Sequence, residues 1–86
     1  MADISQAEAR LKRLRMRAWR RGMREMDLIL GQFADAHLSD LDAVQLNTFE
    51  ALLSEMDQDL FDWVTGRQET PLPYQDLIHQ ITPART

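Results

Sequence analysis

The chain has 86 residues, no cysteine, and a formal net charge of −4 at pH 7. The absence of cysteine excludes disulfide bonds, thiolate metal sites and cysteine nucleophiles, and no run of about 18 apolar residues suggests a membrane span. The N-terminus lacks the basic segment and apolar run of a signal peptide. We therefore expect a single domain over residues 1–86, with an ordered core at about 5–82 and a short flexible C-terminal tail.

Charge is distributed unevenly along the chain. Residues 1–24 contain eight Lys and Arg side chains against Asp3 and Glu8, a balance of +6. Residues 25–86 contain Arg67 and Arg85 against twelve carboxylates, a balance of −10. Such asymmetry favours either a partner with a charged surface or packing of the two halves against each other, and both interpretations stay open here.

Helical patterns begin at Ser5, which forms an S-x-x-E capping-box pattern with Glu8. The apolar stripe of this first helix consists of Ile4, Leu11, Leu14 and Ala18, and arginines fill its other faces. Trp19 at its end could anchor the corner in the core or stack on a guanidinium, and anchoring is the preferred interpretation. Gly22 then predicts a tight corner, since glycine adopts conformations closed to other residues.

The second helix is predicted from Met23 to about His37, with Glu25 in its first turn, where a carboxylate is favoured. Gly31 lies inside this helix at a cost of about 1 kcal/mol relative to alanine. A close approach by another helix would be one reason to tolerate it. The sequence alone does not show such an approach.

Three more helices are predicted in the second half of the chain. Ser39 is expected to cap the third, whose wide apolar arc runs from Leu41 to Met56 and should be largely buried. A short fourth helix opens at residue 57 and ends before Gly66, and a last one covers residues 74–81 before Pro83. No segment alternates with the period of a strand. The sequence therefore predicts an all-α fold, a compact single-domain bundle of about five helices with short connections.

Catalytic and metal-binding patterns are missing. The serines fit helix caps or helix interiors, and His37 and His79, the only histidines, show no zinc-site spacing. Asp57, Asp59 and Asp62 faintly resemble a calcium loop, but its glycine and distal glutamate are absent, so favourable charge at a helix start is the preferred interpretation. Three dispersed glycines form no phosphate loop. We expect no catalytic residue, no metal site and no bound cofactor.

Two classes of binding protein remain. A small helical nucleic-acid-binding or regulatory protein could use the Arg-rich first helix with Trp19 interleaved, although the acidic remainder of the chain would repel a phosphate backbone. A basic helix at a membrane surface is weaker, because Trp19 is its only large aromatic anchor. The other class is a protein-binding module with a mixed-charge surface.

A family resemblance separates these classes. The run from Arg20 to Phe33 contains R-G-x-x-E, here Arg21, Gly22 and Glu25. Residues 49–60 and 63–66 supply further stretches, F-E-A-L-L-S-E-M-D-Q-D-L and W-V-T-G. Together these segments resemble the SdhE family of succinate dehydrogenase assembly factors. The resemblance covers roughly residues 8 to 73, and the segment after residue 74 matches least.

The resemblance implies a five-helix bundle that promotes covalent attachment of FAD to the flavoprotein subunit of succinate dehydrogenase, and of fumarate reductase where present. In this family the flavin is joined to a histidine of the client, so the assembly factor is not an enzyme and FAD is the client's cofactor. The implied client-binding residues are Arg21, Gly22 and Glu25, with Arg20, Met23 and Asp27 as flanking contacts by position. Our hypothesis is that Glu25 pairs with a basic client group and Arg21 with an acidic one; the alternative that all three motif residues chiefly build the helix corner stays open.

The same resemblance implies no nucleic-acid or membrane partner, and we expect a monomer when the client is absent. A bacterial cytoplasm is the expected location, or the mitochondrial matrix for a processed eukaryotic form.

Overall fold

A computed structural model of the protein describes residues 5–82, which form five α-helices and two short 3-10 segments. The helices are α1 (Gln6–Trp19), α2 (Arg24–His37), α3 (Ala43–Leu52), α4 (Asp57–Val64) and α5 (Gln75–Ile81). The 3-10 segments are Leu38–Asp40 before α3 and Leu72–Tyr74 before α5. The described part of the chain contains no strand, and the predicted all-α fold of about five helices is confirmed. Ile4, Pro83 and the expected tail lie outside the described residues.

The starts of α1 and α3 are fixed by side-chain caps. The Oγ of Ser5 accepts the backbone N–H of Glu8 at 3.1 Å, which confirms the predicted cap of α1. For α3 the prediction of Ser39 was wrong, since the cap is Asp42, whose carboxylate accepts the N–H of Gln45 at 2.8 Å in a complete capping box. Ser39 lies inside the 3-10 turn at Leu38–Asp40, and the backbone becomes extended only at Leu41 and Asp42.

The third helix is shorter than its apolar pattern suggested. It ends at Leu52 instead of continuing to Met56, because the N–H groups of Ser54 and Glu55 bond back to carbonyls only three residues earlier and tighten the chain into a turn. Val44 and Met56 are each 72% exposed, so the expectation of a largely buried arc was wrong at both ends. Its centre is buried as predicted.

The end of α4 is a Schellman motif. The N–H of Arg67 donates to the carbonyl of Asp62 at 2.8 Å, and the N–H of Gly66 donates to that of Trp63 at 3.3 Å. Gly66 has a φ of +77°, a conformation that side chains with a β-carbon rarely adopt. The predicted role of Gly66 as the residue after the helix cap is confirmed.

The core lies where α1 and α2 pack along each other and α4 and α5 close against α2. Its fully buried side chains come from every α-helix except α5, and they include Leu14, Met26, Leu30, Phe49, Leu52 and Leu60. From α5, Leu77, Ile78 and Ile81 add a nearly buried edge. Burial of such side chains contributes about 1.5–3 kcal/mol each.

Trp19 anchors α1 to α2, although about a third of its surface stays exposed. Its indole ring covers Gly31, where an added β-carbon would overlap the ring atoms. Its Nε1–H donates to the Oδ2 of Asp35 at 3.1 Å. Gly31 is therefore explained by a close approach, made by an indole ring instead of a helix backbone.

The two charged halves of the chain meet at two points. Within residues 5–82 the ion pairs are Arg10–Glu50 at 2.7 Å and Arg21–Asp57 at 2.8 Å. Packing of the basic segment against the acidic remainder thus accounts for two of the eight cations, and most of the positive charge of α1 faces outward. Among the helices described, none combines the length and apolar character needed to cross a bilayer.

Candidate functional site

Residues 20–23 form the corner between α1 and α2, and the backbone there depends on glycine. Gly22 has a φ of +101°, and α2 starts two residues later. A β-carbon at Gly22 would have no heavy atom within 4 Å beyond its chain neighbours. The demand for glycine is therefore conformational, and the surface above Gly22 is open.

Asp27 fixes the corner from the first turn of α2. Its Oδ1 accepts the backbone N–H of Arg21 at 2.6 Å and that of Gly22 at 3.3 Å. Charge-assisted bonds of this kind are roughly twice as strong as neutral ones. The sequence named Asp27 only as a flanking contact by position; its spacing of five and six residues from the groups it binds is no common capping pattern, so this role was missed.

Arg21 points inward and joins the corner to the connection between α3 and α4. Its Nε donates to the Oδ1 of Asp57 at 2.8 Å, its Nη2 donates to the carbonyl of Glu55 at 2.6 Å, and its Nη1 donates to the carbonyl of Leu53. Only 10% of the side chain is exposed. The guanidinium thus satisfies carbonyls at the C-terminal end of α3, where the helix dipole favours positive charge.

The Arg21 network continues toward α5 through Glu55. The phenol of Tyr74 donates to the Oε2 of Glu55 at 2.8 Å, and its ring packs beside Trp63 with centroids 5.7 Å apart. Burial raises the pKa of Tyr74, and the hydrogen bond to the Glu55 carboxylate raises it further. The corner is therefore linked through the α3–α4 connection to the 3-10 segment that precedes α5.

Glu25, unlike Arg21, is exposed to solvent. It lies exposed in the first turn of α2, and neither ion pair found within residues 5–82 involves it. Gly22, Arg20 and Arg24 are exposed beside it, and Met23 is partly buried. The structure thus brings the residues of R-G-x-x-E to one corner, but it divides them into an inward arginine and an outward glycine and glutamate.

The residues considered for metal binding do not converge. Within residues 5–82 no group of three His, Asp or Glu side chains could hold an ion. Asp57 is engaged by Arg21, and Asp62 accepts a bond from Gln58 at 3.0 Å. The ring of His37 lies beside Phe33, with centroids 5.4 Å apart. What the corner presents to solvent is the carboxylate of Glu25 and the backbone at Gly22.

Comparisons with known proteins agree on one family. A family model described as "Flavinator of succinate dehydrogenase" matches residues 12–84. The succinate dehydrogenase assembly factor 2 of Dictyostelium discoideum mitochondria is 36% identical over 73 residues, covering 85% of this chain and 52% of the relative. The FAD assembly factor SdhE of Acetobacter pasteurianus is 40% identical over 65 residues, covering 76% of this chain and 58% of the relative.

The chain spans about half the length of the curated relatives it matches. The family model nevertheless covers most of the chain, including the corner and the segments that carry the Arg21 network. These matches confirm the family resemblance drawn from the three sequence segments, and the chain belongs to the family of succinate dehydrogenase flavinators, which includes SdhE.

Proposed function

We propose that this chain binds the flavoprotein subunit of succinate dehydrogenase and promotes covalent attachment of FAD to it. The family model and the names of the relatives support the proposal. The structural observation that carries it is the division of the corner, where Arg21 is held inside the fold and Glu25 is left exposed. The flavoprotein of fumarate reductase is a further proposed client.

Contact with the client is assigned to the outward residues of the motif. Glu25 offers an exposed carboxylate to a basic client group, and the open surface above Gly22 allows a client backbone to come close. Arg21 was expected to meet an acidic group of the client, but its donors already bind Asp57, Glu55 and Leu53. Its proposed role is therefore to set the shape of the contact surface, with Asp27 holding the backbone.

The proposed mechanism is conformational. By binding one arrangement of the client's flavin domain, the corner raises the population of that arrangement. Alignment of the flavin with the client's own accepting histidine then lowers the barrier, because correct orientation can replace several kcal/mol of activation free energy. This chain supplies no nucleophile in that scheme, and it acts as a monomer in the bacterial cytoplasm or the mitochondrial matrix.

The test compares Glu25→Ala with Asp59→Ala. Both residues are exposed acids in the first turn of a helix, so each variant loses the same favourable dipole interaction. Only Glu25 lies at the corner. Purified flavoprotein subunit is incubated with FAD and each variant, and covalent flavin is read as fluorescence of the denatured client band.

Wild type and Asp59→Ala are expected to raise the flavin signal equally. With Glu25→Ala the increase in signal should be at least about tenfold smaller, as for loss of a charged interface residue. Circular dichroism confirms that each variant is folded. Equal flavin signal with and without the wild-type chain would contradict the proposed function. A full signal with Glu25→Ala would contradict the assigned contact.

A further inference from the structure

The exposed side of α1 carries a second surface next to the corner. Arg13, Met16 and Arg17 follow the spacing i, i+3 and i+4 on one face of α1, and they line one shallow groove together with Arg20, the residue after the helix. These four residues are called the basic face below. Leu14 points the other way, into the core.

The arginines of the basic face form no ion pair within residues 5–82. The two ion pairs formed within residues 5–82 engage other arginines of the N-terminal segment, so Arg13, Arg17 and Arg20 have no acidic partner there. Met16 lies between them and is 44% exposed. An apolar side chain surrounded by three guanidinium groups is suited to a ligand that is itself both acidic and apolar.

We propose that the basic face binds an acidic segment of the partner protein, in which carboxylates flank an apolar residue. The inference rests on the proposed function, since the segment would belong to the flavoprotein client. The planar fork of an arginine matches a carboxylate with two parallel hydrogen bonds, and the flexible Met16 side chain adapts to an apolar neighbour.

The chain itself shows how a carboxylate docks against this helix. Glu50 of α3 accepts from Nη2 of Arg10 at 2.7 Å and from its Nε at 3.2 Å. That hydrogen bond lowers the pKa of Glu50 against the opposing effect of partial burial, and the positive charges of Arg10, Arg17 and Arg13 lower it further. Glu50 thus shows one arginine of α1 holding a carboxylate, and two arginines of the basic face add to the positive potential near it.

The basic face is continuous with the corner. Arg20 belongs to both surfaces, because it lines the groove and precedes the motif residues Arg21 and Gly22. A client that covers Glu25 can therefore extend onto the basic face without crossing an unrelated surface. Two contacts of opposite charge then lie side by side: Glu25 binds a basic client group, and the arginines bind an acidic one. Because the two cannot be exchanged, they fix the orientation of the client.

The dimensions and charge of the chain favour a protein segment over a nucleic acid. Arg13 and Arg20 are seven residues apart, or about 10 Å along the helix axis. A duplex extends far beyond this length and would approach the acidic remainder of the chain, which has a balance of −10. A short acidic segment is recognised locally and avoids that repulsion.

The experiment measures the affinity of the purified flavoprotein subunit for four chains over a salt series. The test variant is Arg13→Gln combined with Arg17→Gln, which removes charge while keeping good helix formers. Lys12→Gln is the matched control, since Lys12 is an exposed cation of the same helix outside the groove. Met16→Gln tests the apolar contact.

The double variant is expected to bind about fivefold to tenfold more weakly, with a shallower salt dependence, as for paired charges at an interface. Lys12→Gln should stay within about twofold of wild type. Met16→Gln should weaken binding without changing the salt dependence, because it removes no charge. Circular dichroism verifies the helix content of each chain.

Unchanged affinity and salt dependence in the double variant would overturn this inference while leaving the proposed function intact. Failure of the wild-type chain to bind the flavoprotein would overturn both. Parallel titrations use duplex DNA, phosphatidylserine vesicles and the chain itself by sedimentation. One contrary result is that the wild-type chain binds one of these tightly and the double variant fails to do so, with client affinity unchanged in that variant. This result would assign the basic face to that other partner and contradict the inference.

Discussion

The Nε of Arg21 donates to the Oδ1 of Asp57 at 2.8 Å, joining the α1–α2 corner to the start of α4. The same guanidinium satisfies the carbonyls of Leu53 and Glu55. Since both partners of the ion pair are largely covered, with 10% and 22% of their side chains exposed, the contact is a structural one. Arg21 therefore stabilises the fold as well as shaping the surface that displays Glu25.

Replacement of Arg21 should weaken the fold. In Arg21→Met, two carbonyls and the Asp57 carboxylate lose their donor, and we expect the free energy of unfolding to fall by about 2–4 kcal/mol. Arg21→Lys keeps the charge but lacks the fork, so its loss should be intermediate. Urea denaturation followed by circular dichroism measures both. Denaturation midpoints equal to wild type would show that the network contributes little.

Gly22→Ala should strain the corner backbone. At a φ of +101° a β-carbon costs about 1–2 kcal/mol even though the space around it is open. Gly66→Ala is the matched control, since it introduces comparable strain at a φ of +77° far along the chain. Both variants should lose similar stability by thermal unfolding, while only Gly22→Ala should reduce client affinity. Full stability in Gly22→Ala would remove the conformational need for glycine.

Gly31→Ala should be destabilising although alanine is the better helix former. The new β-carbon would overlap three ring atoms of the Trp19 indole, so we expect a cost of about 2–3 kcal/mol, at the upper end for overpacking and more than the roughly 1 kcal/mol gained in helix propensity. Trp19→Ala should be destabilising alone, and adding Gly31→Ala to it should then restore part of the stability. Additive losses in this double-mutant cycle would contradict the contact.

Tyr74 should make stability fall at alkaline pH. Burial and the Glu55 carboxylate raise its pKa in the folded chain above the value of about 10 in the unfolded chain. The unfolded chain therefore loses the phenolic proton first, and the stabilisation present below pH 10 or so disappears as the pH rises through the folded pKa. Urea midpoints recorded from neutral pH upward should fall less steeply for Tyr74→Phe than for wild type. Parallel curves would contradict this assignment.

Local signals predicted the helices well where cap and periodicity agreed. Ser5 and Gly66 occupy the predicted positions because each satisfies backbone groups of its own helix. The prediction was wrong at Ser39, where a 3-10 turn intervenes and Asp42 provides the stronger cap. It was also wrong at Met56, because an apolar pattern does not reveal that the helix ends before the pattern does.

The corner motif was found from the sequence, but the division of roles within it was not. Arg21 and Glu25 look alike as charged residues near helix ends. Their difference arises from Leu53, Glu55 and Asp57, which lie more than thirty positions away in the chain. Only the folded structure shows that these groups bind Arg21 and leave Glu25 exposed.

The most direct test of this division measures stability and client affinity together for Glu25→Ala and Asp57→Asn. Asp57→Asn removes the ionic partner of Arg21 without altering the exposed residues of the corner. We expect Glu25→Ala to lower the unfolding midpoint only slightly, through the lost dipole interaction, and to lose client affinity by at least about tenfold. Asp57→Asn should lower the midpoint and leave the affinity of the folded fraction within a few fold of wild type. A strongly destabilised Glu25→Ala that binds the client as wild type does would contradict this division of roles.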